Sequence, residues 1–349
     1  MIRDLCFEII EACPNNCKFC SSNANINKRK IIKLEDFKRV IDYFYNSVGI
    51  EELSLSGGEP FLHPNLLQMV EYASNLGIRT VIFTSGVIRK VQEDMEYRQY
   101  LIEAMNKRLE TIKKYDSGNI ELINQVKRYY LQKIEPCTYT NISRERLFEL
   151  KEAGLNKIVF DYQAQSHDID CYLMGRDENQ QQIFSESLFE ASVSGLDVSV
   201  HFIPMKPNYK EIGDILEILE IARIKNISIL NFIPQGRGAE NHQDLELSSK
   251  ELKKFLKLLD KYKKIYSGNI KLGISLQNNP THKCNAGLDK IDIKFDGTVL
   301  PCPAFKELSE DELKKYGIKL YNIYDNLEEI KIPGKGTRVE PLCRKIYKR

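Results

Sequence analysis

Cys13, Cys17 and Cys20 stand in the segment Cys13-Pro-Asn-Asn-Cys17-Lys-Phe-Cys20, three thiols within eight residues. Soft ligands this close together can converge on one metal centre, and thiolates favour zinc or an iron–sulfur cluster. A structural zinc site takes four ligands. This loop holds three, and His63 would have to complete the set through space. A four-iron cubane held by three cysteines would instead leave one iron open to a small molecule. Zinc, a cubane and plain reduced thiols all fit the residue types at this point.

The elements that carry these thiols alternate. Apolar or β-branched runs predict strands at Leu5–Ile10, Leu53–Ser56, Thr80–Phe83, Lys157–Phe160, Val198–Ile203 and Ser228–Phe232. Helical spacing falls between them at Leu34–Tyr45, Pro64–Leu76, Arg144–Ala153, Phe184–Val193 and Ile212–Ala222. Strands alternating with helices give a parallel sheet of right-handed crossovers, open or curled toward a barrel. In such sheets the chemistry gathers at the carboxyl ends of the strands, where the cysteine loop lies.

Residues 91–140 interrupt the rhythm with two helix-prone stretches around a turn at Asp116-Ser117-Gly118-Asn119, read as a helical insertion on the rim or over the mouth of the sheet. Beyond Phe232 an amphipathic helix is expected over Ser248–Tyr266 and a strand over Lys271–Leu276. Lys290–Phe295 and Thr298–Leu300 flank Asp296-Gly297, a hairpin signal. A soft boundary near residue 245 divides the chain into 1–245 and 246–349.

The 349 residues carry 51 Lys plus Arg against 49 Asp plus Glu, a net charge of +2 that excludes nucleic-acid binding through bulk charge. Nine cysteines, an odd number, argue against a fully paired disulfide framework. Met1-Ile2-Arg3-Asp4 opens no apolar signal segment, and no apolar run reaches the ~18 residues of a membrane span. A cytoplasmic protein with reduced thiols is expected.

The cysteine spacing, with Phe19 before the last thiol, resembles the signature of the radical S-adenosylmethionine (SAM) superfamily. Ser56-Gly57-Gly58-Glu59-Pro60, one crossover later, is similar to that family's SAM amino-group element. Ser85 in Thr84-Ser85-Gly86, and Arg237 in Pro234-Gln235-Gly236-Arg237-Gly238, fall where relatives contact SAM or substrate. The resemblance implies a partial (β/α)6 TIM-like barrel with a helical insertion and a small C-terminal α+β extension. It also implies a SAM-binding 4Fe-4S cluster on Cys13, Cys17 and Cys20, with cofactor contacts from Phe19, Ser56, Gly57, Gly58, Glu59, Pro60, Ser85 and Arg237.

Cys284, twelve residues, Gly297, four residues and Cys302 are similar to the opening of a SPASM or twitch extension. A hairpin at Asp296-Gly297 would bring Cys302 back to Cys284, with Cys343 closing the site. The family's later cysteine cluster is absent, so one auxiliary 4Fe-4S cluster is implied, its fourth position left to His282, another thiol, solvent or substrate. The alternative is three inert core cysteines. Cys6, Cys137 and Cys171 are read as structural.

Family chemistry implies reductive cleavage of SAM to methionine and a 5′-deoxyadenosyl radical that takes hydrogen from a substrate C–H bond, with a flavodoxin or ferredoxin as electron donor and pronounced oxygen sensitivity. The expected substrate is a peptide, undergoing crosslinking or thioether formation. Oxidation or rearrangement of a sugar or nucleotide derivative is the alternative, and a non-catalytic iron–sulfur or zinc module the third reading. The intact Gly57–Pro60 element speaks against that third reading.

Overall fold

The computed structural model describes residues 1–89, 95–134, 139–273, 276, 284–330, 332 and 343; Cys137 and His282 lie outside these. Its strands are β1 (Asp4–Ile10), β2 (Glu52–Gly57), β3 (Arg79–Thr84), β4 (Ile88–Arg89), β5 (Tyr139–Thr140), β6 (Lys157–Asp161), β7 (Asp197–Phe202), β8 (Asn226–Ile229), β9 (Asn269–Leu272), β10 (Lys290–Ile293), β11 (Thr298–Leu300) and β12 (Tyr321–Asn322). Ten of them form one sheet in the order β12-β11-β10-β1-β2-β3-β6-β7-β8-β9. Every neighbouring pair from β10 to β9 is parallel, and β11 and β12 add antiparallel at one end.

The six expected strands form the centre of this partial TIM-like barrel; the last of them, and the separate strand expected over Lys271–Leu276, have shifted ends. β8 closes at Ile229 rather than running to Phe232, and the last bond of its ladder to β7 is Leu230 N–H to Phe202 O at 2.8 Å. β9 lies at Asn269–Leu272 and stops where Gly273 N–H donates to Ile229 O at 2.7 Å. The Asp296-Gly297 hairpin forms between β10 and β11, with Gly297 at φ +85°.

Helices α1 (Leu34–Ser47), α2 (Leu66–Asn75), α5 (Arg144–Glu152), α7 (Glu178–Val193), α8 (Ile212–Ile221) and α11 (Ser249–Tyr262) match the expected periodic stretches. α7 begins six residues before the expected Phe184, capped by a reciprocal Asp177–Gln180 box. α6 (His167–Met174) falls in a stretch read as loop. The insertion is a helical hairpin, α3 (Met95–Tyr115) and α4 (Ile120–Ile134), above the β4–β5 ribbon.

β1, β2 and β7 alternate apolar-out and polar-in, whereas β3 and β6 turn Val81, Phe83 and Val159 to the inner face. Leu5, Phe7 and Ile9 of β1 and Leu53 and Leu55 of β2 pack with Phe37, Phe44 and Met69 of the outer helices in one fully buried core. Phe160, Val200 and Phe202 join Phe255 of α11 in another. The opposite face of β1, β2 and β10 carries Asp4, Cys6, Glu8, Ser54, Lys290 and Asp292, following the parallel registers Cys6↔Asp292 and Cys6↔Ser54. A TIM barrel fills this space with branched apolar residues. Here the β1, β2 and β10 side of it is polar, while the Phe83 and His201 rings pack 5.1 Å apart on the other side.

Candidate functional site

β1 delivers the chain to the mouth of the lumen, and the cysteine loop leaves from there. Its backbone is tied to three other segments. Cys13 N–H donates to Asn25 O at 3.2 Å, Lys18 N–H to Leu173 O at 2.9 Å and Asn16 N–H to Met174 O at 3.2 Å. Arg237, at the start of α9 (Arg237–Glu240), donates from Nε to Cys17 O and from Nη2 to Ala24 O, both at 2.8 Å. The guanidinium therefore clamps the loop from both sides rather than standing free for a ligand. Phe19 packs beside Leu173, Met205 and Phe232 and anchors the loop to the core.

Cys13 is buried and Cys17 and Cys20 half-buried. Burial raises the Cys13 and Cys17 thiols, and the neighbouring thiol adds to it in each case, Cys17 acting on Cys13 and Cys20 on Cys17. The three sulfurs thus share one electrostatic environment. Among the described residues no three His, Cys, Asp or Glu side chains converge as a single ion requires. His63 has both ring nitrogens engaged, Nε2 with Ile32 O at 2.8 Å and Nδ1 with Asn65 N–H at 3.1 Å, so it is no fourth zinc ligand. A cubane asks for less convergence, because each thiolate binds a different iron. Asn15, between the first two thiols, is 1% exposed and neither end of its amide finds a partner. Three thiols and an unsatisfied amide on one loop fit an iron–sulfur group.

The Ser56–Pro60 element sits against this loop. Gly58 N–H donates to Ile10 O at 2.7 Å and Glu59 N–H to Ala12 O at 2.8 Å. A Cβ on Gly57 would lie 2.3 Å from Ile10 O, and one on Gly58 2.1 Å from Ala12 O; Gly57 also has φ +120°. The sequence reading gave these glycines to a ligand, but their immediate neighbour is the backbone leading into the cysteine loop. Pro60 starts a single 3-10 turn, Pro60–Leu62. Glu59 is fully buried and accepts from Thr84 Oγ1 (2.9 Å), Ser85 N–H (2.8 Å) and Ser85 Oγ (2.7 Å). Ser85 is thereby spent on Glu59. Burial outweighs these donors and lifts the Glu59 carboxyl to about 7.

Sequence reasoning missed a second polar group at this mouth. Arg176 and Asp170 form a fully buried two-bond pair at 2.5 and 2.6 Å, with the guanidinium 4.5 Å over the Phe184 ring. Asp161, at the carboxyl end of β6, is lifted to about 6 by burial, while Arg176 draws it down. No motif announces them; only the position of Asp161 at a strand end was readable.

Cys284, Cys302 and Cys343 share one small apolar cluster with Ala286, Leu300, Phe305 and Leu313. Burial raises the Cys302 thiol to about 11, partly offset by Lys290, and Cys343 is close enough to add to the rise. Cys171 stands apart on α6 with its sulfur 3.5 Å from His167 Nδ1.

Residues 7–108 match the family model of the radical SAM superfamily. The PqqA peptide cyclase of Bradyrhizobium diazoefficiens is 19% identical over 86% of this chain and 67% of its own length. A probable GTP 3′,8-cyclase of Sulfurisphaera tokodaii is 22% identical over 86% of this chain and 81% of its own. Among solved structures, Streptococcus suis SuiB bound to precursor peptide SuiA matches with TM-score 0.62 and 16% identity, covering 96% of this chain and 65% of that one. The chain thus spans about two thirds of the length of SuiB. At this identity the likeness speaks for the fold. No helix among the described residues is long and apolar enough to cross a membrane.

Proposed function

Because residues 7–108 match the radical SAM superfamily model, we propose that the chain is a radical SAM enzyme that modifies a peptide. The observation that carries this reading is the cysteine loop, bound to the Gly57-Gly58 backbone on one side and to Arg237 on the other, over a lumen with one polar side. Cys13, Cys17 and Cys20 would hold the 4Fe-4S cluster to which SAM binds. When bound, this pair supplies a 5′-deoxyadenosyl radical able to take hydrogen from an unactivated C–H bond. The residues around it position and exclude water. Ser56–Pro60 would offer backbone to the SAM amino group, Glu59 ties that element to Ser85 and β3, and Arg237 holds the loop's shape. Phe19 seals the loop against the core.

Cys284, Cys302 and Cys343, gathered in one cluster, hold an auxiliary 4Fe-4S group in the 246–349 extension. A flavodoxin or ferredoxin supplies the electron. The peptide reading draws support from relatives whose names or complexes contain peptides. A nucleotide or other small metabolite is the second reading, favoured by the cyclase relatives that bear GTP in their names. Anaerobic reconstitution is expected to give about seven to eight irons per chain, and Cys13, Cys17 and Cys20 changed together to alanine should lose about four. Reduced protein with SAM should release 5′-deoxyadenosine. Unchanged iron in the triple variant, or no nucleoside from a loaded and reduced sample, rejects the assignment.

A further inference from the structure

The inner face of β1 and β10 holds a carboxylate that the protein does not satisfy. Asp292 is fully buried, and its oxygens meet no N–H or O–H donor, only the thiol of Cys6; Oε2 of fully buried Glu8 meets no donor. Register places these groups together. Asp292 stands beside Cys6, which stands beside Ser54, and Glu8 and Ser56 form the next layer toward the mouth. The carboxylate oxygens therefore lie one layer below the Ser56–Pro60 element.

The neighbouring cations are already committed. Lys306 pairs with Glu8 Oε1 and reaches Ser22 Oγ at 3.1 Å, and Ser22 donates to the same Glu8 oxygen at 3.0 Å. Lys290 pairs with Asp4 at 2.5 Å. Cys6 adds only a thiol, a weak donor. Asp4 is paired with Lys290 and Glu8 with Lys306, so Asp292 has no cation of its own. Burial and the nearby Glu8 push that carboxyl up to about 7, against the pull of Lys306 and Lys290. An isolated buried carboxylate is costly and calls for a cation or a donor.

We propose that the Glu8–Asp292 face of the lumen binds a cationic, hydrogen-bond-donating group of the substrate, an arginine-like guanidinium or a lysine-like ammonium. A guanidinium offers five N–H donors in a fixed fork and an ammonium three, against three carboxylate oxygens that meet no N–H or O–H donor. Ser54 and Ser56 line the same face and keep it polar. The proposal rests on the radical SAM reading in one respect only, that substrate enters the lumen past the cysteine loop.

The test uses full-length, cluster-loaded protein without reductant, so that no turnover occurs, and methylguanidinium chloride as probe with uncharged N-methylurea as control, followed by calorimetry. Wild type is expected to bind methylguanidinium at least tenfold more tightly than N-methylurea, and Asp292→Asn and Asp292→Ala to lose that preference while keeping the wild-type circular dichroism. Glu8→Gln should weaken binding less, since Lys306 holds its other oxygen. Equal binding of the two probes to wild type, as expected if only water fills the site, overturns the proposal. So does a preference that survives in both folded Asp292 variants. Iron content and 5′-deoxyadenosine release test the enzyme reading separately, so either can fail alone.

Discussion

At the scale of single residues, the site is built from contacts that spacing announces and partners that it does not. The two glycines are there because any side chain would strike the carbonyls of Ile10 and Ala12. Gly58→Ala should therefore cost about 3 kcal/mol or more through backbone displacement, lowering both the thermal midpoint and the iron loaded. Arg237 donates two charge-assisted bonds, of about 1.5–3 kcal/mol each in typical cases. Arg237→Ala should speed iron loss to a chelator about tenfold, and Arg237→Lys, which can reach one carbonyl, should fall between. Glu59 offers a sign that can be worked out. Its folded carboxyl is raised from 4.5 to about 7. Below pH 4.5 both states are protonated, and its contribution to stability is fully present. Between 4.5 and about 7 the unfolded chain ionises first, so that contribution is lost as pH rises. Glu59→Gln does not titrate. In urea melts of the metal-free protein, the stability of wild type relative to Glu59→Gln should fall by about 3 kcal/mol from pH 4.5 to 8; a constant difference would mean the buried group is ionised throughout. The cysteine spacing was legible because ligation demands it in the chain itself. Arg176–Asp170 was not, since that pair is defined by burial and by the Phe184 ring beneath it.

At the scale of elements, periodicity carried the reading as far as packing agrees with it. The outward residues of the strands are apolar because helices cover them, so β1, β2, β3 and β6 are visible as runs. β9 is blurred: its alternation is Asn269, Ile270, Lys271, Leu272, and only the pairing with β8 fixes its limits. α6 was missed because its eight residues carry three acidic or imidazole side chains, and its end is set by Gly175 in the left-handed region. The α3–α4 hairpin was legible from its helix-forming residues and the Asp116–Asn119 turn. It rises on the β4–β5 ribbon and leaves Tyr115, Ile120 and Tyr129 exposed. On the proposed peptide reading, replacing residues 95–134 by a short Gly/Ser linker should keep the ribbon, the iron content and SAM cleavage, while turnover of a peptide falls. Loss of iron in that variant would show that the hairpin supports the barrel rather than the substrate.

At the scale of the molecule, strand pairing crosses the boundary expected near residue 245. β10 lies parallel against β1, β9 against β8, and Phe255 and Leu259 of α11 complete the core that holds Phe202. The first of these joins residues nearly three hundred positions apart, which no local pattern encodes. They also bring Lys306, four residues after Cys302, to Glu8 and to Ser22, two residues after Cys20, so one buried ion pair links both cysteine groups. Removing residues 246–349 would strip Glu8 of its cation, at about 3–5 kcal/mol for a broken buried pair. Losing Phe255 and Leu259 adds about 2–5 kcal/mol each by analogy with core truncations. Together these losses reach the whole stability of a typical domain, about 5–15 kcal/mol. The 1–245 fragment should therefore fail to give a cooperative unfolding transition, whereas full-length Lys306→Met should fold with its urea midpoint lowered. A monomeric 1–245 fragment that unfolds cooperatively would mean instead that the barrel is self-sufficient and the extension merely docks.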